Sequence, residues 1–406
     1  MAFPDPQPAD SAAEQIPFTA LSPPEQRHRL TELAQVFLKL GTIAFGGPAA
    51  HIAMMDDEVI KRRQWMSRER LLDLIGVTNL LPGPNSTELA IHIGYERAGW
   101  KGLLVAGSCF ILPAMAMVWG LAAIYSRYQA LPELGWLLYG IKPVIMAVIL
   151  QALWKLGKKA VKNIPTALAA MGVVVGYALG VNELWLLLLA GLGVMIIENL
   201  RTGDMTPWLM PLSGFGVLAQ TGSSAPPPVP SPNWIQVFLL FLKIGAVLYG
   251  SGYVLLAFLQ RDLVERTQWL TSQELLDAVA IGQFTPGPVF TTATFVGYLL
   301  AGNLGAIAAT VGIFLPAFLL VGLVNPWVTF LRRSRWFGAF LDGLNAASLG
   351  LMAAVTVTLG REAVVDWFTL ALAGLAMVAV FRFKINSAWV VLAGGLAGFV
   401  SGARAS

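Results

Sequence analysis

Long apolar runs separated by short charged stretches organise the chain, at residues 103–125, 136–154, 164–181, 184–198, 303–324, 338–359, 367–381 and 388–402. Several reach the roughly 20 residues that carry a helix across about 30 Å of hydrocarbon, and the shorter ones need flanks or neighbours to complete a span. Ahead of the long runs, each half opens on a short helix, at about residues 31–45 and again at about 234–249, that ends in Gly-rich sequence. An amphipathic charged stretch follows, then Pro-Gly-Pro between two short helices, then four longer helices. The pattern predicts an all-α polytopic membrane protein.

The two halves are one unit written twice. Sliding the chain by 204 residues places Phe37-Leu38-Lys39 on Phe241-Leu242-Lys243, Gln64-Trp65 on Gln268-Trp269, Leu71-Leu72-Asp73 on Leu275-Leu276-Asp277 and Pro82-Gly83-Pro84 on Pro286-Gly287-Pro288. Between Phe37 and Thr87 there are 16 identities in 51 positions without a gap. After one deletion the offset becomes 203, and Gly94-Tyr95 meets Gly297-Tyr298, Ala98-Gly99 meets Ala301-Gly302 and Leu112-Pro113-Ala114 meets Leu315-Pro316-Ala317. The expected layout is a disordered tail over 1–30, a first repeat over 31–202, a Pro/Ser-rich linker over 203–233 and a second repeat over 234–402.

Composition agrees with a membrane chain: 56% hydrophobic, 12% charged and a mean hydropathy of +0.67. The balance of 27 Lys+Arg against 23 Asp+Glu is too mild for a nucleic-acid surface and is better read through loop placement. If the Lys155, Lys158, Lys159, Lys162 loop is cytoplasmic and the Pro-Gly-Pro hairpin re-enters its own side, each half crosses five times. An odd number of crossings inverts the second copy. That assignment puts 17 Lys/Arg inside and seven outside, and it makes homologous loops exchange basic for acidic character. The first helix is the weak step of the count, because it is short. The single cysteine, Cys109, excludes an intrachain disulfide and argues against a Cys metal site.

Three lysines fall inside apolar segments: Lys39, Lys243 and Lys142. A cation in hydrocarbon costs a few kcal/mol, so each is a candidate for substrate binding; the plainer reading is a lysine snorkelling to an interface. Pro-Gly-Pro forces a break, after which a new helix near Asn85 presents unpaired N–H groups and the positive end of its dipole. Asn85, Ser86 and Thr87, with Thr291 and Thr292 in the second copy, add side-chain donors beside Pro82, Gly83, Pro84, Pro286, Gly287 and Pro288. A structural kink would explain one copy; broken, Gly/Pro-interrupted segments at matching places in both halves point to a transporter's binding site. Glu88 and His92 share a helix face one turn further on, a carboxyl and an imidazole suited to proton coupling, or simply a polar contact between helices. Asp56-Asp57-Glu58 reads as a solvated juxtamembrane face rather than a metal site, since its repeat mates are Gln260, Arg261 and Asp262. No cofactor or metal motif is present.

Phe45-Gly46-Gly47-Pro48-Ala49-Ala50-His51, Trp65 after a basic run, Leu81-Pro82-Gly83-Pro84 and Gly94-Tyr95-Glu96-Arg97-Ala98-Gly99 resemble the chromate ion transporter family, and the duplication resembles its long-chain, two-domain form. The resemblance runs from about Leu33 to Phe399. It implies a multi-pass protein of the bacterial inner membrane that exports chromate, a tetrahedral dianion and sulfate mimic, by alternating access, with no cofactor and no enzymatic activity. On this motif Gly46 and Gly47 join the substrate-binding residues. Glu88 departs from the family pattern, which often has a polar amide there. The alternatives are a transporter of sulfate or another anion on the same fold, a channel and, more remotely, a membrane enzyme acting on lipid phosphates. The expected partners are the oxyanion and the lipid bilayer, with a homodimer left open and no nucleic acid.

Overall fold

The first helix begins earlier than the apolar pattern predicts. Ser22 donates from N and Oγ to the Glu25 carboxylate at 2.9 and 2.6 Å, and Pro23 supplies a pre-set φ at the first helical position. Helix α1 therefore runs Pro23–Ile43, and the expected tail over 1–30 is cut short at its C-terminal end. The computed structural model describes residues 17–45, 47–128, 131–202, 232–250, 252–324 and 334–405; Gly46 and most of the 203–233 linker lie outside them.

After α1 come α2 (Pro48–Asp56), α3 (Arg68–Thr78), α4 (Asn85–Tyr128), α5 (Pro132–Ala160), α6 (Ile164–Ala178) and α7 (Glu183–Thr202). The second half repeats the series as α8 (Trp234–Val247), α9 (Leu255–Leu259), α10 (Ser272–Phe284), α11 (Thr292–Val324), α12 (Arg335–Ala363), α13 (Trp367–Phe381) and α14 (Ser387–Ala405). A π-helical turn follows α2 at Asp57–Arg62 and α9 at Gln260–Arg266. Among the described residues every regular element is helical. Six helices among the described residues are long and apolar enough to cross a membrane, at Asn85–Tyr128, Pro132–Ala160, Glu183–Arg201, Val289–Leu323, Arg335–Ala363 and Ser387–Arg404. Ile164–Ala178, Trp234–Val247 and Trp367–Phe381 are apolar but shorter.

Neither α4 nor α11 is continuous. Ala98 and Gly99 (φ −148° and +58°) break the first, and Ala301 and Gly302 (φ −143° and +61°) break the second at the same repeat position. Each pair of pieces then folds back on itself. Gly94 lies against the backbone of Gly102, and a methyl group added to it would sit 2.6 Å from the Ala106 side chain; the equivalent methyl on Gly297 would sit 2.5 Å from Ala309. Only glycine permits that approach.

Packing runs between the halves as well as within them. Helix α1 lies on α4 and α8 on α11, and α4 meets α11. Outside this centre, α5 of the first half packs on α13 and α14 of the second, while α12 of the second packs on α6 and α7 of the first. The Pro-Gly-Pro segments complete the exchange. The Gly83 N–H donates to the Leu248 carbonyl and the Gly287 N–H to the Ala44 carbonyl, both at 2.9 Å. Residues 44 and 248, like 83 and 287, are repeat mates, so each half gives the other the same bond.

Gly94→Leu and Gly297→Leu should each destabilise the purified protein by at least about 1–3 kcal/mol, the usual cost of overpacking. Gly120→Leu, where an added side chain meets open space, should leave the thermal melt unchanged.

Candidate functional site

Helix α3 starts on Ser67, whose hydroxyl accepts from the Arg70 amide at 3.1 Å, and it ends three residues before Pro82. Pro82, Gly83 and Pro84 are buried, Gly83 takes φ +143°, and α4 begins at Asn85 as the sequence predicts. The Pro84 carbonyl accepts from the amides of Thr87 (2.8 Å) and Glu88 (3.0 Å), closing the first turn. Arg70 at the start of α3 pairs with Glu96 at the end of the first piece of α4 (2.5 Å), so the chain reverses at Pro-Gly-Pro. In the second copy Pro286, Gly287 (φ +96°) and Pro288 are likewise buried, and a short 3-10 turn, Val289–Thr291, precedes α11.

The first turn after the break differs sharply between the copies. Thr291 and Thr292 each donate to a carbonyl of their own turn, Pro288 and Val289, at 2.8 Å. In the first copy Asn85 donates to Asn79 at 2.9 Å. Thr87 and Glu88, both 0% exposed, have a hydroxyl and a carboxyl with no hydrogen-bond partner. The Glu88 carboxyl fills the space that a side chain on Gly83 would take, with Ala317 of α11 on the same side. Tyr249, after α8, is within electrostatic reach of it. His92 is equally buried on the next turn but does not donate to Glu88.

A third polar residue joins this centre that sequence reasoning quoted without assigning a role. His51, 1% exposed on α2, faces the Ala44 carbonyl with Nε2 at 3.0 Å and the Ser86 hydroxyl with Nδ1 at 3.2 Å. The carbonyl can only accept, so Nε2 carries the proton and Nδ1 accepts from Ser86. Burial pushes the imidazole down to about 4, which keeps it neutral. Ala44 is also the acceptor for Gly287, so His51 ties the start of α4 to the second Pro-Gly-Pro. Its repeat mate is Leu255. That loss of polarity between mates, already visible at Glu88 and Thr292, was the available signal. Gly47, at φ +77°, caps α2 and accepts from the His51 amide at 3.1 Å.

The lysines lie elsewhere, each with a carboxylate. Lys39 pairs with Glu58, and Lys243 with Asp262 at 2.8 Å and Glu183 at 3.5 Å. The two main pairs are repeat mates, joining a first helix to the π-helical turn 19 residues on. Glu58 is therefore buried under an ion pair rather than solvated, contrary to the expectation for the acidic triplet; Asp57 does face solvent, pairing with Arg62 at 2.8 Å. Lys39 remains 49% exposed, in a groove of about 390 Å³ shared with Lys61 and Arg62. Lys142 pairs with Asp277 of α10 at 3.0 Å. The structure thus brings Pro82–Glu88, His51 and the second Pro-Gly-Pro together, and leaves the three lysines outside that cluster.

The family profile described as Chromate transporter matches the chain twice, over residues 31–195 and 235–399. A chromate transport protein of Cupriavidus metallidurans is 31% identical, the match covering 96% of this chain and 96% of the relative. One from Pseudomonas aeruginosa is 31% identical over 90% of each. An uncharacterized transporter of Bacillus subtilis is 30% identical over 132 residues, 74% of its own length and 32% of this chain. No solved structure matches.

Because the folded His51 value lies below its ordinary 6.5, the unfolded chain binds the extra proton between the two values. The stability that neutral His51 contributes is therefore complete above about pH 6.5 and is lost as pH falls toward 4. The apparent melting temperature should drop across that window, and His51→Gln should flatten this part of the profile.

Proposed function

Since the chain belongs to the chromate transporter family, matched by both of its halves, we propose that it is a secondary transporter that exports chromate across the cell inner membrane by alternating access. The observation that carries the site is the orphaned pair Thr87 and Glu88 in the first turn after a buried backbone break. Buried polar groups are nearly always paired, and exceptions at a helix start suit an oxyanion that comes and goes. The amides of Asn85 and Ser86 and the Thr87 hydroxyl are the donors this reading assigns to it.

Glu88 decides how such a site works. A dianion and a carboxylate about 6 Å apart repel by roughly 5 kcal/mol at an effective dielectric near 20, which cancels most of what three donors return at roughly 1.5–3 kcal/mol each. Glu88 must therefore be neutral whenever the dianion is bound, and one proton is coupled to the cycle. His92, one turn along, serves as its route in the other access state. Lys39 and Lys243 anchor first helices to π-helical turns in this scheme.

Inversion of the halves about an axis in the membrane plane, with each Pro-Gly-Pro hairpin re-entering its own side, belongs to the same reading. The reciprocal Gly83 and Gly287 bonds favour a two-fold relation. The start of α3 pairs with Glu96 through Arg70, whereas the start of α10 reaches the Glu362 backbone carbonyl through Gln273. In a chain whose Cys109 has been replaced, cysteines at 158 and 384 should label from the cytoplasm and cysteines at 183 and 362 from outside. Labelling of 158 and 362 from one side removes the inversion.

Everted vesicles should take up chromate, with sulfate competing, under an imposed potential or pH gradient. Glu88→Gln, a permanently neutral side chain, should retain or improve chromate binding while losing the pH dependence of transport; Glu88→Asp should keep part of it. A Glu88→Gln profile that overlays the wild type removes Glu88 from the mechanism.

A further inference from the structure

A second buried charged cluster joins the halves away from the Pro-Gly-Pro centre. Asp277 on α10 is 5% exposed. One carboxylate oxygen pairs with Lys142 of α5 at 3.0 Å, and the other accepts from the Tyr125 hydroxyl of α4 at 2.8 Å. Lys142 also donates to Gln273 at 2.5 Å, an exposed residue one turn before Asp277, so the cluster sits just beneath the molecular surface. An ammonium and a phenol converging on two oxygens of one anion are the contacts a bound oxyanion would receive.

We propose that Lys142 and Tyr125 form an oxyanion subsite on the transport path, occupied in this structure by the chain's own Asp277 carboxylate. The proposal rests on the reading of the protein as a chromate carrier and adds to it a place where the anion is exchanged with water. The donors belong to the first half and the carboxylate to the second, on the helix that runs into Pro286. A movement of α10 at that break would withdraw Asp277 and leave both donors free for a dianion. The packing does not require the charge, since the repeat mate of Lys142 is Asn345. Nor does stability, because a buried ion pair contributes little net free energy over neutral replacements.

The subsite makes a prediction opposite in sign to that of a structural ion pair. Chromate binding is measured on the purified full-length protein in lipid nanodiscs, with sulfate as a second probe. Asp277→Asn removes the resident anion without changing shape and should tighten chromate binding on the order of tenfold, equivalent to about 1.4 kcal/mol, while slowing turnover in vesicles. The pair Lys142→Gln/Asp277→Asn removes both charges together and should abolish that gain, leaving affinity below the wild type. Tyr125→Phe on the Asp277→Asn background should give back part of the gain. If Asp277→Asn does not fold, the charge-neutral double variant decides alone: affinity equal to the wild type overturns the subsite. So does a folded Asp277→Asn protein that binds no tighter, or a double variant that keeps the gain. Wild-type protein that binds neither anion overturns the functional reading and the subsite with it, whereas binding by the wild type without a gain in Asp277→Asn overturns the subsite only.

Discussion

Two breaks in buried backbone govern this molecule, and each is satisfied by the other half. A helix interrupted by Pro-Gly-Pro at membrane depth frees amides and carbonyls that lipid cannot solvate. Here Gly83 donates to the buried carbonyl of Leu248, the C-cap of α8, and Gly287 to that of Ala44, the C-cap of α1. The first helices end where they do because their terminal carbonyls are claimed across the molecule. The cross-packing of α5 on α13 and α14, and of α12 on α6 and α7, holds the two donors in register with their acceptors. An unpaired amide at either place would cost about 1–3 kcal/mol, so the reciprocal bonds make the halves interdependent at the point where ligand chemistry is expected.

Against that shared frame, the copies differ at a few polar positions. Position 51 is His in one half and Leu255 in the other; position 88 is Glu against Thr292; position 142 is Lys against Asn345. The frame is conserved between copies where it does mechanical work: the π-helical turns, the Lys–carboxylate anchors, the Gln64 and Gln268 residues at positive φ and the Ala-Gly breaks all recur.

Much of this could be read from residues alone, because the features that shape the fold are compositional. Six of the eight apolar runs fall in helices long enough to cross a membrane, while 164–181 and 367–381 do not; Pro and Gly marked the break at Asn85 to within a residue, and the self-match paired the halves. The lysines were legible as anomalies but not as ion pairs, although Glu58 and Asp262 fall on each other at the same offset and offered the clue. The Gly83–Leu248 bond has no side-chain signature, and Tyr125 and Asp277 stand 152 residues apart, so neither contact leaves a local pattern. The early start of α1 was hidden by its polar first turns, where the Ser22–Glu25 cap replaces hydrophobic periodicity as the helix signal.

The one-sided position of Glu88 fixes an energetic consequence. On the function proposed above, Glu88 has no carboxyl mate at Thr292, and a cycle that moves one dianion with one proton would carry one net negative charge outward. At 100 mV, inside negative, that charge alone contributes about 2.3 kcal/mol, enough to hold a roughly fiftyfold outward gradient where no pH difference exists. Two mirrored carboxyls would have made the cycle electroneutral and deaf to the membrane potential. On the same proposal, losing the symmetry at one residue would make the resting voltage of the cell the motor.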